Sequence, residues 1–413
     1  MSKKVKILFL LLAFATPFLQ AYFKNYFRII KANNYIPSFK LKVYPKKNYC
    51  SDLKNKIDLY IDDERQNWSI TIDDIYNNRL VNVNSNSLRI PASNQKILST
   101  SYALDKLGSD FRLRTSLYLN LKTKEFHITG TGDPDLSISS LALLARNIIQ
   151  NSKYNKKPYI NLHEEDYENW WNETWDDNDR EQAYGSPITR LAISSNTKNT
   201  AVQNPISRLK ESLIEIFSNY NYQPQFKLAS SLSNIKDSNQ YKLLKELNSS
   251  PLKSLITLAN SESHNFTAEV LLKNAAGTWD NYKASKQLEV WLEKKIPDSN
   301  FIVYDASGLS RKNKLSTSSL VSLIKYTHSK RKLAYIPYSF SLYGVRGTMK
   351  YLKDSKIHGK LLAKTGTLTG VRSLSGLYFT KDRHVYFSII NNGSSDIDYK
   401  LDRLLLIIAN NIK

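Results

Sequence analysis

Ser93-Asn94-Gln95-Lys96 places a hydroxyl and an amine three positions apart. On a helix that spacing puts both on one face. A serine at a helix N-terminus sits where the peptide dipoles favour negative charge. A lysine stripped of water and partly deprotonated can take the serine proton, so the pair could make a nucleophile. The S-x-x-K pattern is common, recurring at Ser207–Lys210, Ser233–Lys236, Ser250–Lys253 and Ser329–Lys332. A serine at this place can equally serve as a helix cap. Context separates Ser93 from the others. It follows Ile90-Pro91-Ala92 and opens a run in which Ile97, Leu98, Ala103, Leu104 and Leu107 recur at helical spacing, with Gly108 as the stop.

Two further patterns carry compatible chemistry. Ser263-His264-Asn265 is an S-x-N on a segment, Ser263–Ala276, that reads as a helix. A hydroxyl beside a lysine can relay a proton to a leaving amine, and an amide can fix a substrate carbonyl. His264 falls on a different helical face from its neighbours and reads as a surface residue. Lys364-Thr365-Gly366 is the one K-T-G in the chain and is followed by Thr367. It lies on a predicted strand. An edge strand can pair with an extended peptide, Lys364 would supply charge for a terminal carboxylate, Thr365 a donor, and Gly366 space for close approach. Taken singly, each also fits an ordinary surface helix or strand end.

The ordered trio S-x-x-K, S-x-N, K-T-G is the set found in penicillin-binding proteins and class A β-lactamases. The sequence resembles the class C low-molecular-mass penicillin-binding proteins, the D-alanyl-D-alanine carboxypeptidase/endopeptidase family. Further segments carry the resemblance: Gly130-Thr-Gly-Asp-Pro134, Tyr184-Gly-Ser-Pro187 with Asn196, Ala268-Glu269 after the second motif, Asp305-Ala-Ser-Gly-Leu-Ser310, Gly344-Val-Arg-Gly-Thr348 and Ala363–Gly370. It runs from about Trp68 to Asn391. Three features depart from it. Ala306 and His264 stand where the family more usually has Gly and Asp or Asn. The gap of 170 residues between Ser93 and Ser263 is shorter than in well-known members, which implies a trimmed insertion.

The resemblance implies a serine acyl-enzyme cycle on peptidoglycan stem peptides. Ser93 attacks the carbonyl between the terminal D-alanines, Lys96 is the base, and Ser263 passes a proton to the leaving D-alanine. Backbone N–H groups of Ser93 and Thr367 form the oxyanion hole. Lys364, Thr365, Gly366 and Thr367 line the carboxylate side, and Asn265 holds the acyl-side amide. Asp133 occupies a family position that could meet the far amine of the stem peptide, or is a turn residue beside Pro134. β-Lactams are expected as covalent inhibitors, with no cofactor and no metal. The alternatives are a β-lactamase and a non-catalytic wall-binding protein on the same fold.

The elements that must position these residues are partly legible. Trp68–Ile72 and Leu80–Val83 read as a hairpin. Short strands follow between Phe111 and Thr129. Residues 164–181 are acidic and rich in tryptophan (Trp170, Trp171, Trp175), and Pro205–Phe217 reads as an amphipathic helix. Leu361–Thr367, Ser373–Phe379 and His384–Ile390 read as strands, and Leu401–Ile412 as a helix. Strands first, strands last and helices between predict an α+β, penicillin-binding/β-lactamase-like domain with both chain ends in one antiparallel sheet. We expect the hydrolase domain at 22–108 and 250–413 and a reduced inserted domain with its return segment at 109–249.

Composition narrows the class. The chain has 413 residues, of which 41% are hydrophobic, enough for a sizeable core. Its net charge of +22 is spread along the sequence, which suits an anionic envelope and argues against nucleic acid. The single cysteine, Cys50, excludes an intrachain disulfide, and the six histidines show no metal-ligand spacing. Lys3, Lys4 and Lys6 before the apolar run Ile7–Leu19 have the layout of a signal peptide over residues 1–21, cleaved or retained as an anchor. This places the protein in the periplasm or cell envelope, with membrane association if the segment is retained.

Overall fold

The computed structural model describes residues 51–412, apart from 153–154, 231–238, 298, 381–383 and 394–395. The apolar run Ile7–Leu19 and Cys50 lie outside these residues.

The last three strands alternate in sequence between two apolar faces, and the fold uses both. In β10 (Val371–Phe379) and β11 (His384–Asn392), Leu377, Phe379 and Ile390 pack against helices, while Leu374, Tyr378 and Ile389 face the other way. Period-2 side chains apolar on both faces require a sheet covered on both sides. On the second face lie Leu53 and Ile57 of α1 (Ser51–Ile61) and Leu404 and Ile408 of the C-terminal helix Ile397–Asn411. On the first lies a large helical core.

The sheet has six strands. Trp68–Asp74 (β1) sits between Arg79–Val83 (β2) and β11, pairing antiparallel with both, so the first and last strands of the described residues share one sheet. Every residue of β1 is buried, and Thr71 Oγ1 meets Thr317 Oγ1 at 2.8 Å on the covering helix. Leu361–Leu368 (β9) lies second from the far edge, beyond which is the two-residue strand Ser341–Leu342 (β8). Along β9, β8 pairs with Leu362 and Ala363. The outer edge of Thr365–Thr367 therefore has no strand partner among the described residues.

The helix that follows Ser93, α2 (Gln95–Leu107), is buried without interruption from Gln95 to Leu104. Its small polar residues are hydrogen-bonded, as burial demands: Thr100 Oγ1 donates to Lys96 O (2.6 Å) within the helix and Ser99 Oγ to the distant Ala306 O (2.9 Å). It packs on the helix Asn265–Ala276, which is buried from Asn265 to Lys273.

A second sheet is built entirely from residues 114–248. Arg114–Asn120 (β3) pairs antiparallel with Phe126–Gly130 (β4) and Tyr241–Asn248 (β7), and β4, Tyr159–Glu164 (β5) and Gln225–Ser230 (β6) run parallel. The helices Ile138–Asn151 and Pro205–Ser218 cover one face, with Leu117, Ile128, Ile160, Leu144 and Leu213 in a core of their own. Residues 170–192 leave this sheet: Trp170, Trp171, Trp175 and Ile188 pack into the core of helices beside the first sheet. Among the described residues no helix is long and apolar enough to cross a membrane.

Candidate active site

Ser93 lies in the 3-10 turn Ala92–Asn94 that leads into α2. Ala92 is held at φ 46°, a left-handed conformation that costs a residue with a Cβ about 1–2 kcal/mol. Strain of this kind persists only where surrounding contacts impose it. Here they come from β9 and β10. Ser373 Oγ donates to Pro91 O (2.6 Å), and the Asn94 amide lies against Lys364 O (2.8 Å). From the other side Gly308 comes so close that a Cβ there would lie 1.9 Å from Ala92 O. Ser93 itself stays half-buried and reachable.

Lys96 is fully buried. Its Nζ lies 2.9 Å from Ser93 Oγ, 2.6 Å from Asn265 Oδ1 and 2.6 Å from Ser307 O. Two of these partners are carbonyl oxygens and can only accept. A neutral amine therefore spends its two hydrogens on them and turns its lone pair to the Ser93 hydroxyl. Burial pushes the Lys96 ammonium down to about 7, against the opposing pull of Asp305 and Glu269.

Asn265 is bound at both ends, since its Nδ2 donates to Tyr184 O (2.9 Å). Tyr184 belongs to the segment returning from the second sheet. That segment thus reaches the first motif through the second.

Ser263 departs from the sequence reading. It is not helical: it precedes the helix at φ 61°, in a left-handed turn after Leu252–Ser261. His264 is a correction too. It is half-buried and caps the helix, with Nδ1 accepting from Thr267 N (3.4 Å) and facing Thr267 Oγ1 (2.7 Å). Burial, then the nearby Lys96, lower its pKa to about 4, so the ring is neutral.

Lys364 is fully buried, and its Nζ donates to Ser263 Oγ (2.9 Å) and Thr365 O (2.7 Å). Burial first, and Lys96 second, hold it well below the usual lysine range. Its contacts lie on the second motif, with Thr365 and the exposed Thr367 nearer the open strand edge. Thr365 Oγ1 meets Thr348 Oγ1 at 2.7 Å. At Gly366 a Cβ would stand 2.2 Å from Ser373 Oγ and 3.0 Å from both Pro91 O and Ser93 N. The strand can press this closely on the nucleophile turn only because the side chain is missing.

Ser93, Lys96, Ser263, Asn265, Lys364, Thr365 and Gly366 thus form one connected cluster. Asp133 is not joined to it by any hydrogen bond among the described residues. It lies in the loop before Ile138–Asn151, where Oδ1 accepts from Asp135 N (3.0 Å) and burial raises it to about 6. The neighbouring Gly132 presses on Val270 and Trp279.

The family profile described as D-Ala-D-Ala carboxypeptidase 3 (S13) matches residues 53–223 and 227–405. The chain belongs to this family. It is 28% identical over 180 residues to the D-alanyl-D-alanine carboxypeptidase DacB of Haemophilus influenzae, covering 41% of this chain and 38% of that one. It is 31% identical over 145 residues to a D-alanyl-D-alanine carboxypeptidase of an Actinomadura species, covering 32% and 27%. The matched segments thus span well under half of these curated relatives. Among solved structures, penicillin binding protein 4 of H. influenzae superposes with a TM-score of 0.71 at 20% identity, over 83% of this chain and 96% of that one. A predatory peptidoglycan endopeptidase from Bdellovibrio bacteriovorus gives 0.56 at 16% identity, over 83% and 92%. These likenesses establish the α+β fold of penicillin-binding protein 4 for this member of the carboxypeptidase family.

Several partners of the cluster carry no sequence signal as site residues. The Ser307 and Tyr184 carbonyls are backbone atoms that any residue could supply. Asn94 and Ser373 act by bonding to other main chains. The Asp305–Ser310, Tyr184–Pro187 and Gly344–Thr348 segments were visible only as family elements without assigned roles.

Proposed function

We propose that the protein is a serine D-alanyl-D-alanine carboxypeptidase or endopeptidase of the cell envelope, working through a Ser93 acyl-enzyme that penicillin also forms. Membership of the carboxypeptidase family supports the substrate class. The observation that carries the mechanism is the Lys96 amine, which has two carbonyl acceptors and one hydroxyl, that of Ser93.

Neutral Lys96 accepts the Ser93 proton as Oγ attacks the penultimate D-alanyl carbonyl. The backbone N–H groups of Ser93 and Thr367 stabilise the oxyanion. The proton on Lys96 passes through Ser263 to the departing amine, and the C–N bond breaks. Lys364 holds the Ser263 hydroxyl, and the open Thr365–Thr367 edge takes the substrate carboxylate. Asn265 keeps Lys96 aimed and has one amide hydrogen left for the acyl-side carbonyl. Water activated by Lys96 then releases the shortened peptide and restores Ser93. The same attack on a β-lactam opens the ring and leaves the drug attached. Asp133 is the proposed contact for the distal amine of the stem peptide.

The test is intact-mass measurement after incubation of the protein with a penicillin, alongside Ser93→Ala. The expected result is an adduct of one drug mass, absent in the variant. A folded wild type that gains no mass refutes the assignment.

A further inference from the structure

The acidic, tryptophan-rich stretch has no part in the mechanism above, yet it touches the machinery behind Lys96. Trp175 Nε1 donates to Asp305 Oδ2 (2.8 Å), Thr174 Oγ1 lies 2.6 Å from Ser310 Oγ, and Asn172 Nδ2 donates to Tyr304 O. The last holds the residue just before the turn Asp305–Ser310, and the first two hold the turn itself. Within it, the Asp305 carboxylate accepts from Gly308 N (2.8 Å), Ser310 N (2.7 Å) and Asn313 Nδ2 (2.7 Å). Glu269 Oε1 accepts from Ala306 N (3.0 Å) and Ser307 N (2.8 Å). The product of this scaffolding is the Ser307 carbonyl, which receives a hydrogen bond from Lys96 Nζ.

We propose that Trp175, Asp305 and Glu269 are positioning residues for Lys96, acting through the Ser307 carbonyl and through the negative field they place behind the amine. The proposal rests on the reading of Ser93 as nucleophile and Lys96 as base.

Asp305 and Glu269 are both buried. Structural anchoring of a turn needs hydrogen-bond acceptors; it does not need two carboxyl groups beside a lysine. Their charges oppose the burial that drives the Lys96 proton off. Lys364 and His264 also feel Lys96, the first buried and held low, the second neutral. Glu269 is itself raised to about 7, by burial and then by Asp305, with Lys273 pulling it down. Lys273 is tied off on Trp279 O (2.6 Å) and Asn281 Oδ1 (2.5 Å). The balance at Lys96 is thus set by Asp305 and Glu269 against desolvation. Trp175 trims it, because its N–H partly neutralises the Asp305 carboxylate.

The signs follow. Removing either carboxylate lets burial win and lowers the pH at which Lys96 becomes a base. Removing the Trp175 N–H leaves the Asp305 field stronger and raises that pH. The experiment is the acylation rate of the full chain by a fluorescent penicillin between pH 5 and 9, for the wild type, Asp305→Asn, Glu269→Gln and Trp175→Phe, with a thermal melt of each. The acid limb is expected to move down by about 1 pH unit in Asp305→Asn, a tenfold change in proton affinity. It moves down in Glu269→Gln and up in Trp175→Phe. Should Asp305→Asn not fold, the opposite movements of the other two carry the test. Folded variants that lose rate while keeping the wild-type limb overturn the proposal, since anchoring alone would do that. A wild type that is not acylated at all would instead remove the reading on which it rests.

Discussion

Replacing Gly366 by alanine tests whether the K-T-G strand is built to press on the nucleophile. The new methyl would stand 2.2 Å from Ser373 Oγ, where ordinary contact begins at 3.4 Å. Ser373 cannot simply rotate away, because its hydroxyl holds Pro91 O at 2.6 Å and so helps fix the left-handed Ala92. The next obstacles, Pro91 O and Ser93 N at 3.0 Å, are backbone. Strand or turn must therefore yield by about 1 Å, an overpacking cost of about 1–3 kcal/mol. The chemical cost is larger in proportion. The methyl would lie 3.0 Å from the nitrogen of Ser93, the proposed oxyanion donor, and a displacement of about 1 Å at reacting groups costs on the order of 100-fold in rate. The assay is the second-order rate of acylation by a chromogenic β-lactam, with a thermal melt on the same sample. Gly370→Ala is the control. It lies at the turn after the strand with φ 70° and open space around it, so it should lose about 1–2 kcal/mol of stability and keep its acylation rate. A folded Gly366→Ala protein acylated within threefold of wild type would refute the argument.

Two further outcomes are expected. Below about pH 7 Lys96 carries its proton and cannot accept that of Ser93, so acylation should fall about tenfold per pH unit on the acid side; a flat profile from pH 5 to 9 would exclude Lys96 as the base. Asn265→Ala removes both the Lys96 acceptor and the tie to Tyr184 O; acylation should drop by about 100-fold, and a rate close to wild type would show that Ser307 O alone keeps the amine aimed.

The sequence by itself determined what local rules govern. The three-residue spacing of Ser93 and Lys96 brings them to one side of a helical turn, although the left-handed Ala92 before them is held by distant contacts. The hairpin at Trp68–Val83, the three C-terminal strands and the helix Pro205–Ser218 follow from periodicity and turn residues, and the trio of motifs led to the family. Tertiary structure decided the rest. The left-handed conformation of Ser263 runs against local preference and is held by its surroundings, so a helical reading was the natural one. His264 looked like a surface ring because its capping role depends on where the helix begins. Lys364 was expected to face a carboxylate, whereas the packed sheet buries it and turns it to Ser263. The basicity of Lys96 arises from complete burial and from Asn265, Ser307, Asp305 and Glu269, which stand far from it in sequence. A backbone carbonyl has no side-chain signature, and desolvation belongs to a position in the folded chain. Both are invisible until distant segments have packed together.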